Sequence, residues 1–298
     1  MLPILIVCYL RPEKLRALLE SFENSRTEIF VFIDRNEGNH QELNTKVYEI
    51  AMHYSKSLNI RVKWSSEKMG VAQGVPTAIN WAFTYVDELV ILEDDCFPSK
   101  FALGFFENQR DRMKDSIVLS CATSPWGYGS QAHSSNPVAL SSYPLIWGWS
   151  TNKINWEKIS KLIDRPTPHS RIIFSMFRRP MKALAICFFY AAVIRVNRGK
   201  LAAWDSPVAL EMLLSDYKSI VSNVTLIENS GNDEIRSHPS KPIDLGSEVI
   251  SSFSGSPPSD RYDKSSRSLR MNDREIEKEI YELKLRHFLS PIKALINL

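Results

Sequence analysis

Three consecutive acids, Glu93, Asp94 and Asp95, follow the apolar run Val90-Ile91-Leu92. Carboxylates held this close repel one another, and where a buried strand delivers them to a sheet edge something must compensate. A divalent cation is the usual solution. Hard oxygen donors suit Mg²⁺ or Mn²⁺, which also bridge the phosphates of a nucleotide. The plainer alternative is a loop whose acids cap the next helix. Other reactive or ionisable side chains stand in comparable places: Tyr9 and Arg11 at the end of the apolar run 3–10, and Asp34 directly after Ile29-Phe30-Val31-Phe32-Ile33.

The elements that would position these groups follow from the periodicity. The run Pro3 to Leu10 reads as a strand buried on both faces. Pro12 and Glu13 suit a helix's first turn, and Leu15, Leu18, Leu19 and Phe22 follow at helical spacing. The pattern then predicts a strand over 29–34, a helix over 43–58, a strand over 60–64, a helix around Val75, Ile79, Ala82 and Phe83, and a strand over 89–92. Alternating strands and helices predict an α/β fold, a mostly parallel mixed sheet with helices on both faces. Ligands of such sheets bind beyond the carboxyl ends of the strands. Arg11, Asp34 and the acid triplet all fall at such ends.

The later chain is less periodic. Residues 121–150, rich in Ser, Gly, Pro, Tyr and Trp, read as irregular structure over the sheet edge, and 169–200 as helical. Residues 237–272 carry no periodic pattern and read as a linker or loop. A last helix is expected from Asp273 to about Phe288, followed by an apolar tail.

Composition sets outer bounds. At 298 residues the length prior is about two domains, and 44% hydrophobic with 24% charged residues is ordinary for a globular chain. The longest apolar run, Ala183 to Ile194, has 12 residues, below the roughly 20 of a membrane-spanning helix. Leu2 to Leu10 lacks the basic start and cleavage site of a signal peptide. Cys8, Cys96, Cys121 and Cys187 show no paired spacing, so free thiols in a reducing cytoplasm are expected. The net charge of +3 is uneven: 152–200 has 11 Lys/Arg against Glu157 and Asp164, a local +9. Such a stretch suggests an anionic partner, phosphate or a membrane surface, or else solvated helix faces.

No glycine-rich phosphate loop follows the first strand, no Gly-x-Ser-x-Gly elbow occurs, and no zinc-protease histidine pair is present. Nucleotide binding through strand-end acids instead of a glycine loop points to a sugar-nucleotide type of site. Here the chain resembles inverting GT-A glycosyltransferases, in the branch of N-acetylglucosaminyltransferase I and its bacterial surface-polysaccharide relatives. The segments that carry the likeness are Pro3 to Pro12, the strand ending at Asp34, Ile91 to Ser99, and Tyr143-Pro144-Leu145-Ile146-Trp147-Gly148-Trp149-Ser150-Thr151. Trp204-Asp205 and Asn223…Asn229-Ser230-Gly231…His238 extend it to about residue 240. The chain departs from the family at Lys68-Met69-Gly70, where Asn-Leu-Gly is usual, and after Asn229, where Gly-Phe-Gly and Thr-His are usual.

The resemblance implies a GT-A domain over 1–240, with a nucleotide-sugar half of about 1–120 and an acceptor half of about 121–240. A linker over 241–272 and a helix and tail over 273–298 would follow. It implies transfer from a nucleotide-sugar, a UDP-sugar being the expected donor, to a glycan or lipid-linked saccharide in bacterial surface-polysaccharide synthesis. Asp95 would ligate Mn²⁺ or Mg²⁺, with His238 as a further metal or phosphate contact. Tyr9, Arg11, Asp34, Lys68, Glu93 and Asp94 would contact the donor. Asp205 would be the general base, with Trp147, Trp149 and Trp204 near the sugars. Each has a plainer role: the tryptophans as core, Asp205 as a helix N-cap, Arg178-Arg179 as solvated charge or as a site for an anionic acceptor. The resemblance also implies a cytoplasmic enzyme, and the basic region with the tail suggests contact with the inner membrane face; no nucleic-acid partner is expected. Two rivals stand beside it, a sugar-1-phosphate nucleotidyltransferase and a non-catalytic binding homologue.

Overall fold

The computed structural model describes residues 1–114, 118–120, 138–163, 167–222 and 226–229. His238, Cys121, the expected linker and the expected C-terminal helix lie outside the described residues. In chain order the elements are β1 (Ile4–Cys8), α1 (Pro12–Glu20), β2 (Ile29–Ile33), α2 (Gln41–Tyr54), β3 (Ile60–Trp64), α3 (Gly70–Ala82), β4 (Glu88–Glu93), β5 (Cys96–Pro98) and α4 (Ala102–Gln109). After a 3₁₀ turn come β6 (Val118–Ser120), β7 (Val138–Ser141), β8 (Trp149–Asn152), α5 (Lys153–Ile163), α6 (His169–Arg178), α7 (Ala183–Asn197), α8 (Asp205–Ser215), β9 (Ser219–Ser222) and β10 (Ile227–Asn229).

Eight strands form one sheet in the order β3-β2-β1-β4-β8-β6-β9-β7, and β10 pairs with β5 in a separate ribbon. The β3-β2-β1-β4 portion is parallel throughout, with Ile6 opposite both Val31 and Leu92. β8 then runs antiparallel to β4 and β6, β6 and β9 are parallel, and β7 closes the edge antiparallel. The fold is α/β, a mixed, mostly parallel sheet flanked by helices. Successive strands β1, β2 and β3 step outward in one direction, whereas β4 returns to the other side of β1. The carboxyl ends of β1 and β4 therefore flank a topological switch point, where open α/β sheets leave a crevice.

The apolar pattern explains the layers. β1 sends Ile4 and Ile6 to one face and Leu5 to the other, so alternate residues feed two separate cores. The first core receives Leu15, Leu18 and Leu19 of α1 and Val47 and Ile50 of α2. The second receives Val75, Ala78 and Ile79 of α3 and the tryptophans 149, 156 and 204. A third cluster lies between α6, α7, α8 and β9.

Three expectations change here. The stretch 121–150 is not irregular throughout: β7 and the start of β8 lie in it, because Trp149 is a buried sheet residue. The helical stretch 169–200 is two helices, broken where Arg179 (φ −134°) precedes Pro180, a residue whose ring disfavours helix at the position before it. The 12-residue apolar run also understates the element that contains it. Pro180–Asn197 forms an 18-residue helical stretch that is, by length and composition, apolar enough to cross a membrane.

Candidate functional site

β1 organises the site through its backbone. Its end accepts both acidic strand ends, with the Asp34 N–H donating to Cys8 O (3.0 Å) and the Asp94 N–H to Val7 O (3.1 Å). Three residues on, Arg11 turns back over the sheet edge. Its Nη1 donates to Asp94 Oδ1 (2.9 Å) and to Asp95 Oδ2 (3.0 Å), while the Tyr9 N–H donates to Asp94 Oδ2 (3.3 Å). Asp94 and Asp95 are buried, at 4% and 6% exposure. The first compensation for the acid triplet is therefore a guanidinium from within the chain.

One cation does not balance the cluster. Burial, reinforced by the charges of Asp95, Asp94 and Asp205, pushes the Glu93 carboxyl up to about 8. Burial and Asp95 also raise Asp94, to about 6, against the opposing pull of Arg11. The thiols of Cys8 and Cys96 are raised well above their usual range, again by burial first and neighbouring carboxylates second. Four carboxyl groups and one guanidinium share this edge, an excess of three negative charges when all are ionised. The chemistry of the donor set, hard and anionic, fits a divalent cation. Among the described residues, however, no three His, Cys, Asp or Glu side chains stand together as a ready metal-ligand group.

Asp205 reaches this edge from the other half of the chain. Trp204 is buried at 3% and stacks on Trp149 (5.7 Å between centroids), while Trp156 meets both edge-on or tilted. This pins the start of α8. Asp205 is the first residue of that helix, with Trp204 at the cap position and no side-chain capping bond. The expected N-cap role is thus corrected: the acid stands in the first turn, where the helix dipole favours it, and its charge acts on Glu93.

The aromatic expectations also change. Trp149 and Trp204 pack in the core against each other and present no open face for a sugar; Trp147 is half-buried against the first core. The glycine between Trp147 and Trp149 has a packing reason. Gly148 sits at φ +77°, and a Cβ there would collide with the Ile227 side chain of β10. The Trp-Gly-Trp block thus brings the start of β8 close against the β5–β10 ribbon.

Asp34 is fully engaged. Its two oxygens accept the N–H groups of Met69 and Gly70, both at 2.8 Å, at the N-terminus of α3. Gly70 itself takes the left-handed conformation, φ +69°. An acid at a helix N-terminus satisfies otherwise orphaned donors. Lys68, just before, places its ammonium over the Tyr9 ring at 5.7 Å, so Tyr9, Arg11, Asp34 and Lys68 do converge on one edge.

Two residues escaped the sequence analysis. Asn44 of α2 is completely buried. It donates to Tyr9 O and Asp34 O, both at 2.8 Å, and accepts from the Asn36 N–H and Trp64 Nε1, both at 3.0 Å. Asn36 in turn donates to the Tyr9 hydroxyl at 2.5 Å. The available signal was position: Asn44 continues the buried stripe Val47, Ile50, Ala51 and Tyr54, and a polar residue on an apolar stripe must be bonded.

The chain matches no protein-family model and no curated protein. Among solved structures it is similar to a mannosyltransferase from Pyrobaculum calidifontis in complex with GDP-mannose and Mn²⁺, at 12% identity and TM-score 0.37, covering 72% of this chain and 74% of that one. It is also similar to the 4-diphosphocytidyl-2C-methyl-D-erythritol synthase of Anaerococcus prevotii, at 10% identity and TM-score 0.34, covering 84% of this chain and 95% of that one. Likenesses this distant carry no conclusion about activity.

Proposed function

We propose that the protein is a metal-dependent glycosyltransferase of GT-A type, moving a sugar from a nucleotide-sugar to a saccharide acceptor with inversion. The observation that carries this reading is the convergence, at the β1/β4 switch point, of Arg11, Glu93, Asp94, Asp95 and Asp205, with more carboxylate charge than the one guanidinium balances. A site of that kind calls for positive charge, which a divalent cation supplies, and a cation held there can in turn carry the diphosphate of a nucleotide-sugar.

Asp95 and Asp94 would hold the cation, and Arg11 fixes the orientation of both carboxylates. When bound, a divalent cation neutralises charge developing on the departing diphosphate. Lys68 and Tyr9 border the same edge as donor contacts. Asp205, on a rigid helix end, would accept the proton of the acceptor hydroxyl as its oxygen attacks the anomeric carbon from the side opposite the leaving group. Its nearness to Glu93 supports that role, since it sets the base beside the acid cluster and not across the molecule. Asp34 contributes by fixing the N-terminus of α3 instead of reaching for a ligand.

The test is donor turnover, read as free nucleoside diphosphate with Mn²⁺ and a panel of acceptor saccharides. Asp205→Asn is expected to keep donor affinity and lose transfer by about 10² or more. Unchanged transfer in a folded Asp205→Asn protein removes the base assignment. Pyrophosphate formation from a sugar 1-phosphate and a nucleoside triphosphate, with no transfer, moves the reading to a nucleotidyltransferase.

A further inference from the structure

The hairpin of α6 and α7 reverses the usual distribution of apolar surface. α6 turns Ile172 and Ser175 inward and leaves Ile173, Phe174 and Phe177 exposed at 56%, 64% and 84%; Met181, in the turn that follows, is exposed at 83%. The spacing of Ile173, Phe174 and Phe177, i, i+1 and i+4, puts these three along one side of α6. The side is not a frayed end. Arg171 grips the buried Glu211 of α8 through two bonds (2.5 and 2.6 Å), Arg179 donates to Leu213 O (2.5 Å) and Leu214 O (3.1 Å), and Tyr190 of α7 is hydrogen-bonded to His169. The apolar face is therefore held outward by a fixed opposite face.

The hairpin's own charge is one-signed, although Asp216, between α8 and β9, lies near Arg179 and Lys182. Residues 167–200 contain seven Lys/Arg and no Asp or Glu. Arg171 is spent on Glu211, whereas Arg178, Arg195, Arg198 and Lys200 are exposed. The adjoining Pro180–Asn197 stretch is apolar on average over its 18 residues, Lys182 and Arg195 included, with 28% of it buried inside the protein. It does not stand away from the body, because Ile186, Tyr190 and Val193 pack with Leu210 and Leu213 of α8 in the third cluster. Exposed aromatic and aliphatic side chains on a hairpin that carries several cations and no acid of its own are the features of a helix lying in a bilayer interface.

We propose that the α6–α7 hairpin docks the protein on an anionic lipid bilayer. Phe174, Phe177 and Met181 enter the headgroup–acyl boundary and the neighbouring arginines meet lipid phosphates. Charge complementarity selects this occupant over an apolar protein groove, and the proposal stands whether or not the sugar-transfer reading does.

The experiment is cosedimentation of the full-length chain with phosphatidylcholine vesicles and with vesicles containing about 30% phosphatidylglycerol, an anionic lipid. The wild type is expected to bind the anionic vesicles, with affinity falling as salt rises. Phe174→Ser/Phe177→Ser is expected to lose more than about tenfold in partitioning, because two aromatic side chains no longer leave water. Arg178→Glu/Arg198→Glu is expected to weaken binding to the anionic vesicles alone. Absence of wild-type binding, or equal binding by the serine variant at an unchanged melting temperature, overturns the proposal. So does light scattering that shows a dimer in the wild type and a monomer in the serine variant, without vesicle binding, since a second copy would then be the occupant.

Discussion

At the carboxyl ends of β1 and β4, Asp94 and Asp95 are 4% and 6% exposed; on α6, Phe174 and Phe177 are 64% and 84% exposed. The first region hides charge and the second shows apolar surface, and each inversion is held by a different device. The acids are kept in place by bonds from Arg11 and the Tyr9 N–H. The phenylalanines are kept out because the opposite side of their helix is tied to α8 by Arg171. Inversions of this kind cost stability and persist only where surrounding structure imposes them. They are therefore where function is to be sought, and the two differ in what removal of a side chain should do.

If the acid cluster is held as described, Arg11→Met is expected to give the largest loss. Leaving two buried carboxylates without their cation should cost about 3–5 kcal/mol in urea unfolding at neutral pH. A loss below about 1 kcal/mol would mean that solvent already screens the cluster. The next effect sharpens the same side. Glu93 titrates at about 8 in the folded protein against an ordinary 4.5, so the folded state binds the extra proton between those values. Stability in EDTA should therefore fall as pH rises from about 4.5 to about 8 and level off above, by up to about 1.4 kcal/mol per pH unit. Melting temperatures across that range should show the fall in wild type and a shallower one in Glu93→Gln. The smallest effect belongs to the hairpin: Phe174→Ser/Phe177→Ser should change stability by no more than about 0.5 kcal/mol, because neither ring is buried. A large loss there would erase the contrast between the two regions.

Much of the first region was legible in the sequence because its signals are local. Continuous apolar runs ending in charged residues gave β1, β2 and β4 and set Arg11, Asp34 and Glu93-Asp94-Asp95 at one sheet edge. What stayed hidden depends on contacts between distant segments. Nothing in the chain near Asp34 indicates that both oxygens are taken by Met69 and Gly70, and nothing near Arg11 indicates that it serves the acids. Trp149 and Trp204 illustrate the same limit, since aromatic side chains beside a site and aromatic side chains packed in a core have identical local sequence. The hairpin was illegible for another reason. Helical spacing marks the side that Ile173, Phe174 and Phe177 share, but an apolar stripe ordinarily faces inward, and only the fold shows this one facing out.

The most direct measurement of the central claim is a thermal shift of the full-length chain with a panel of nucleotide-sugars, each with Mn²⁺, Mg²⁺ or EDTA, in wild type and Asp95→Ala. Ligand at ten to a hundred times its dissociation constant should add roughly 1.4–2.7 kcal/mol of stability. The account predicts a shift for one nucleotide, present with metal, absent in EDTA and absent in a folded Asp95→Ala protein. A shift that survives both EDTA and Asp95→Ala, or no shift with any donor, would contradict it.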